Sequence, residues 1–379
     1  MKKTILILLI LTLIFTTACW DMIELEDRLL PYTVAIDLSR EDTEEADEKE
    51  LFICFSYPNI NALGKNPTQE DLTYIINSNA DSIFEATSEI SSRVHNPVFL
   101  KHLNVVVMSE EVFSNEKYVR QVLDGLKRDF IINKMIHLLV TKESAHELLL
   151  KKLESKRQET IEGLLSTLLL NEQKSTSFTP IRLNEFIQYM DHQRVAIVPL
   201  AIPEPEIALE GGGLFKDYEF IGYIEKEDNR NIAILTNKSN NEDIDIEYDG
   251  SKISLQLLEI KAKKKLVKNQ EVLTIKYNVE MDAQIHQYII DPSKKIDSTK
   301  VLDDIEKKAS EVLKEDFATT LEKLQGELNA DTLGILEYLY KFHPKIYKEV
   351  EGDWDSIFPY INIDLDVKVN IRRRGLSEY

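Results

Sequence analysis

Val105-Val106-Val107-Met108, then Tyr118-Val119-Arg120-Gln121-Val122-Leu123-Asp124-Gly125-Leu126, then Met135-Ile136-His137-Leu138-Leu139-Val140: this succession sets the architecture. The first run is apolar at every position, as a strand covered on both faces must be. In the second, Tyr118, Val119, Val122, Leu123 and Leu126 recur at helical spacing. The third is another strand candidate, and Ser144 beyond it is placed to cap a helix through Leu150. Strands alternating with helices argue for a sheet layered with helices, α/β or α+β.

Upstream, Tyr32 to Leu38 is a β-branched run fit for a strand, and 51–57 is a second. The nearly all-charged stretch Arg40 to Glu50 reads as the solvated turn between them. Pro58 to Pro67 reads as a loop, and Ile83, Phe84, Ala86 and Ile90 form a loose helical stripe ended by Pro97. Downstream come a helix over 157–170, a polar surface loop over 171–179, a helix near 182–190 and a strand near 194–201. Ile202-Pro203-Glu204-Pro205-Glu206 cannot be regular structure, because neither proline has a backbone donor; a domain boundary is placed there.

Beyond it, Gly211-Gly212-Gly213 reads as a flexible turn entering strand-like Leu214-Phe215 and Glu219-Phe220-Ile221-Gly222-Tyr223. Strand-like runs recur at 253–260 and 271–281. From Ser298 to Leu328, Val301, Leu302, Ile305, Ala309, Val312 and Leu313 give one apolar stripe, and a further helix is expected over 331–341. Residues 361–371 alternate strictly, the clearest strand in the chain. No fixed-period repeat is visible. The expected fold class is α+β: a multi-domain chain of mixed β-sheets flanked by helices, with a lipid-anchored N-terminus. Residues 1–18 are a signal peptide, 19–205 an N-terminal α/β region with room for two subdomains, and 206–379 a C-terminal α+β domain.

The anchor follows from the first residues. Met1-Lys2-Lys3 is basic, Ile5 to Phe15 is apolar apart from Thr12, and Thr16-Thr17-Ala18 precedes Cys19. That is the order of a secretory signal, and its apolar run is about half the roughly 20 residues a bilayer-spanning helix needs. Cysteine directly after the small residue predicts diacylglycerol on the Cys19 thiol. Two acyl chains suffice for stable anchoring, each buried CH₂ contributing about 0.8 kcal/mol. Thr16 stands where such signals usually carry Leu. Acidic residues outnumber basic by 66 to 46; with Lys2 and Lys3 removed the balance is 66 to 44, or −22. Such a surface repels nucleic acid and anionic lipid over its whole area.

Catalytic patterns are missing. No nucleophile elbow, Walker loop, HExxH or CxxC occurs, and the triple glycine lacks the lysine and following helix of a phosphate cradle. His95 and His102 are not spaced as metal ligands, so no cofactor or metal is expected. Asp364 and Asp366 share one face of the last strand and read as its wet face. Lone Cys54 reads as a small buried side chain, and Trp354 as a domain-packing aromatic. The basic clusters Lys261 to Lys265 and Arg372-Arg373-Arg374 could touch lipid headgroups, but a solvated, aggregation-resistant edge is favoured.

Cys19-Trp20-Asp21 followed by Glu24-Leu25 resembles the mature start of the Ger(x)C spore germination lipoproteins. Ala62-Leu63-Gly64-Lys65, Ser82-Ile83-Phe84-Glu85-Ala86 and Leu100 to Val107 resemble successive blocks of that family. So do Gly212-Gly213-Leu214-Phe215-Lys216, Phe220-Ile221-Gly222-Tyr223, Asp331-Thr332-Leu333-Gly334-Ile335, Trp354 and the closing strand to Arg374-Gly375. Pro31 to Asp37 replaces the family's more usual glycine-containing strand. The resemblance implies a multi-domain α+β architecture, no enzyme activity, and a place as the C subunit of a nutrient germinant receptor. It implies two multispanning membrane partners, one related to amino-acid transporters, and a site on the outer leaflet of the spore inner membrane. Trp20, Asp21 and Glu24, nearest the anchor, are the expected partner contacts. The competing function is a solute-binding lipoprotein of a membrane importer, which would need two similar lobes around a cleft; the two halves here are unlike. An envelope hydrolase has no motif behind it.

Overall fold

The computed structural model describes residues 28–40, 49–59, 72–151, 160–170, 176–203, 206–239, 241–267, 272–288 and 299–372. Among these, the architecture is α+β, two mixed β-sheets with helices packed on them. The first sheet has eight strands in the order β3-β2-β1-β4-β5-β6-β7-β8. They are β1 Thr33–Leu38, β2 Leu51–Pro58, β3 Thr73–Ala80, β4 Val105–Ser109, β5 His137–Thr141, β6 Val195–Ile202, β7 Ala208–Lys216 and β8 Glu219–Ile224. The centre β1-β4-β5-β6 is parallel and both flanks are antiparallel.

The unbroken apolar run of β4 has the expected cause. Val106 and Met108 face a core shared with Ile83, Ala86 and Ile90 of the helix Ile83–Arg93, with the helix Glu116–Arg128, and with Leu183, Phe186 and Met190 of the helix Leu183–His192. Val105 and Val107 face the opposite core, with Ala35 of β1, Cys54 of β2, and Leu148, Ile161 and Leu165 from the helices Ala145–Leu150 and Ile161–Leu170. Phe84, counted in the apolar stripe, is instead exposed on the outer side of its helix.

The second sheet has the order β12-β11-β10-β9, from β9 Asn241–Tyr248, β10 Ser251–Val267, β11 Thr274–Tyr288 and β12 Asn362–Ile371. The first three form an antiparallel meander, and β12 runs parallel to β11. The connection to β12 contains the helix Thr299–Glu322, whose Ile305, Ala309, Leu313, Phe317 and Leu321 repeat every four residues and are buried on the sheet. Asp364 and Asp366 lie on the exposed side of β12, and Asp366 pairs with Lys276 at 3.0 Å. Trp354 is buried in this second core.

Three expectations change in the folded chain. The eight-stranded sheet does not stop at Pro205: β7 and β8, from beyond it, supply its last two strands. Gly211-Gly212-Gly213 lies inside β7 rather than in a turn. Neighbours crowd it: a Cβ on Gly212 would sit 2.6 Å from the Val198 carbonyl oxygen, and one on Gly211 (φ +53°) 2.0 Å from that of Ile224. Lys264 is half-buried rather than solvated, with its ammonium donating to the Leu333 carbonyl.

Candidate functional site

Cys19, Trp20, Asp21 and Glu24 lie outside the described residues, and so do Arg373 and Arg374. The structure does fix where the chain arriving from them enters the fold. Leu29 bridges to Val98; its amide donates to the Pro97 carbonyl at 3.1 Å and its carbonyl accepts from Phe99 at 2.8 Å. The Arg28 guanidinium lies 4.5 Å from the centre of the Phe99 ring, an electrostatic contact with the ring face. The Tyr32 carbonyl accepts from Asn104, whose side-chain amide also reaches the Tyr32 hydroxyl at 2.7 Å.

Register defines this end of the molecule. Thr33, Val105 and His137 stand abreast at the starts of parallel β1, β4 and β5. The segments leading into those strands, 28–32, 97–104 and 129–136, therefore share one end of the sheet. The last is braced from within: the Lys134 ammonium donates to the carbonyls of Leu126, at 2.6 Å, and Asp129, and the Asp129 carboxylate accepts from the Ile131 amide at 2.7 Å. Ile132 and Ile136 point into the core while Phe130 stands 93% exposed. His137 is half-buried beside Arg182, and desolvation lowers its pKa from the ordinary 6.5.

The opposite end holds a crevice of about 540 Å³. It opens where β1 and β4 end side by side, the point from which the chain departs to opposite flanks of the sheet; α/β sheets commonly bind ligands there. Asp37 at its floor is committed, accepting from the Ser144 hydroxyl at 3.2 Å and from the Ala145 and His146 amides at 2.8 Å each. That carboxylate starts the helix Ala145–Leu150. The Ser109 hydroxyl is buried beside the crevice without a hydrogen-bond partner. Glu110, Glu111, Glu143 and Glu147 outnumber Arg40 and Lys142 in the lining, a balance that favours cationic or zwitterionic small molecules over polyanions. Among the described residues no group of three His, Cys, Asp or Glu is placed to hold a metal ion.

Between the two sheets lies a joint that includes Leu214, Phe215, Lys216, Phe220, Tyr223 and Asp331, residues the sequence had marked only as motifs. Leu214 and Ile224 of β7 and β8 pack with Leu324 and Ala330. The Lys216 ammonium donates to the Asn329 carbonyl at 2.7 Å and pairs with Asp355 at 2.8 Å; Arg194 reaches the same carboxylate at 3.1 Å. Behind them Phe113, Phe186, Phe215, Phe220 and Tyr223 meet edge to face, with centroids 4.9–6.4 Å apart. Across the joint, the buried Asp331 carboxylate accepts from the Ile335 and Leu336 amides at 2.9 and 2.8 Å and caps the helix Ile335–Phe342. Burial pushes the Asp331 carboxyl up and the Lys264 ammonium down. The glycine-rich and Asp331-Thr332-Leu333-Gly334 blocks are thus structural.

Residues 21–202 match the family model described as the spore germination protein N-terminal domain, and residues 210–375 match that described as spore germination B3/GerAC like, C-terminal. The chain belongs to the Ger(x)C family of spore germination proteins. Ger(x)C relatives in Bacillus subtilis (strain 168) include spore germination protein YndF, 25% identical with 98% of this chain and 96% of that one covered. Spore germination protein KC is 23% identical, with 99% and 96% covered. The crystal structure of the GerBC protein superposes with a TM-score of 0.61 over 91% of this chain and 99% of that one, at 17% identity, and so shares the fold. The two matched Ger(x)C segments are separated by 203–209, the connection from β6 together with the first two residues of β7.

Proposed function

We propose that this chain is the lipid-anchored subunit of a spore nutrient germinant receptor, held at the outer face of a membrane through Cys19 and required for receptor assembly. The observation that carries the proposal is the pair of germination family segments filling 21–202 and 210–375, almost the whole chain after the signal. No helix among the described residues is long and apolar enough to cross a membrane; the proposed attachment is the Cys19 lipid. The chain divides near 205 into two segments that interlock through one sheet, and it works by docking to two multispanning subunits rather than by catalysis. Trp20, Asp21 and Glu24 lie nearest those partners. The importer alternative asks for two similar lobes, whereas an eight-stranded sheet covered on both faces here adjoins a four-stranded sheet carrying one long helix.

The test is affinity purification of the tagged chain from detergent-solubilised dormant-spore membranes. Recovery of two multispanning proteins, lost with Cys19→Ala, is the expected result. Recovery of importer components instead, or of the chain alone, would overturn the receptor assignment.

A further inference from the structure

We infer that the end of the first sheet where β1, β4 and β5 begin rests on the bilayer itself, with Phe130, Ile131 and Met135 entering the headgroup layer. The inference builds on the anchor assigned above and adds the orientation of the folded body on the membrane. Nine peptide steps separate Cys19 from Arg28. A fully extended chain spans at most about 3.6 Å per residue, so Arg28 lies within roughly 32 Å of the anchor. Arg28 and Leu29 sit against Phe99 and Val98 at that end of the sheet.

The same end displays apolar side chains to water. Phe130 is 93% exposed, Met135 46% and Ile131 38%. They are held out rather than left loose: the Lys134 ammonium ties the segment to the end of the preceding helix, and Ile132 and Ile136 root it in the core. Tyr74, also partly exposed, stands at the same end on β3, across from Tyr57 at the end of β2. The Tyr74 hydroxyl accepts from the Asn59 side-chain amide at 2.9 Å, and an apolar ring with a polar tip suits the headgroup boundary.

Charge is polarised along the strands in the matching sense. Lys127 and Arg128 precede Phe130 in sequence, with Arg128 paired to Asp124 at 2.7 Å, and Lys101 stands in the segment leading into β4 at the same end, in a chain of formal net charge −20. At the other end Asp37, Glu110, Glu111, Glu143 and Glu147 face only Arg40 and Lys142. An anionic bilayer attracts the first end and repels the second, each basic residue near the surface adding favourably. Exposed apolar side chains beside basic residues, at the end of the sheet that a short lipidated segment reaches, suit a lipid surface.

The experiment uses the full acylated chain in vesicles of phosphatidylcholine and phosphatidylglycerol. Phe130→Cys and, separately, Glu143→Cys are labelled with an environment-sensitive fluorophore. Cys19 is blocked by lipid and Cys54 is buried with its thiol pKa pushed up, so the label goes to the introduced thiol. Both positions lie on the surface, and circular dichroism checks the fold. Lipids spin-labelled near the headgroup are expected to quench the Phe130→Cys label several-fold more than the Glu143→Cys label, because interfacial side chains sit about 5–10 Å deep. Equal quenching in a chain that still floats with the vesicles overturns the orientation and leaves the anchor standing. A chain that does not float overturns both. Absence of lipid quenching, combined with protection of Phe130→Cys from a water-soluble maleimide in spore membranes, assigns the patch to a protein partner and also overturns the inference.

Discussion

Gly212 and His137 show how single residues carry constraints that composition hides. Gly212 is needed for space: its neighbour is the Val198 carbonyl, backbone that cannot rotate away. Gly212→Ala is expected to cost about 1–3 kcal/mol by forcing β6 and β7 apart. Gly125→Ala, in a helix where a Cβ meets nothing within 4 Å, is expected to stabilise by roughly 0.5–1 kcal/mol. Urea midpoints at constant m-value measure both; a neutral Gly212→Ala would show that the strands part freely. His137 is held neutral by burial, its folded pKa below the ordinary 6.5. A depressed base contributes stability that is complete above pH 6.5 and is lost as pH falls toward the folded pKa, because the unfolded chain takes up the proton first. Thermal midpoints should therefore fall on acidification below pH 6.5, with a shallower slope in His137→Gln. Identical slopes would remove His137 from the account.

At the scale of elements, edges explain which strands the sequence revealed. β12 declares itself by strict alternation. β3 does not: it runs Thr73-Tyr74-Ile75-Ile76-Asn77-Ser78-Asn79-Ala80, half polar, because it is an edge with few buried positions. β9 was equally silent although Ile244 and Ile246 alternate and Asp249-Gly250, both at positive φ, make the tight turn into β10. The helix Lys226–Leu235 escaped because it buries Asn229 and Asn231 alongside its apolar residues, so its stripe is not purely hydrophobic. Past Leu258, β10 loses β9 as a partner, and Asn237 takes over: its amide donates to the Ala262 carbonyl at 2.8 Å and accepts from the Ala262 N–H at 2.7 Å. Asn237 has φ 57°, so Asn237→Gly keeps the backbone and removes only the amide. Two lost hydrogen bonds predict a cost of roughly 1–3 kcal/mol and an open strand edge prone to aggregation. Unchanged stability and unchanged solubility on storage would show the cap to be dispensable.

For the whole molecule, the crossing of β7 and β8 into the first sheet couples the two halves. A fragment ending at Pro205 lacks both strands, exposes the edge of β6, and removes Phe215 and Phe220 from the aromatic cluster beside Phe113. Such a fragment is expected to be insoluble, while the full body unfolds in one calorimetric transition. A soluble fragment with native near-ultraviolet circular dichroism would show that the halves fold alone. Ion pairs at the joint contribute less: Arg194 and Asp355 are both about half exposed, 46% and 45%, where such pairs contribute at most about 1 kcal/mol. The apolar contacts and the shared sheet hold the halves together.

The amino-acid sequence by itself determined what depends on neighbours along the chain. The central strand buried on both faces, the long helix with its four-residue stripe, the final alternating strand and the Ser144 cap are all local patterns of hydropathy and capping. The tertiary structure alone decided which surfaces meet. Periodicity records that a face is buried but not what buries it. So the placement of β7 and β8 in the first sheet, the inward turn of Lys264 and the commitment of Asp37 to a helix start could not be read in advance. The gathering of Arg28, Phe130 and Met135 at one end follows from the parallel register of three strands whose starts, Thr33, Val105 and His137, are far apart in the chain, a relation that no stretch of sequence contains.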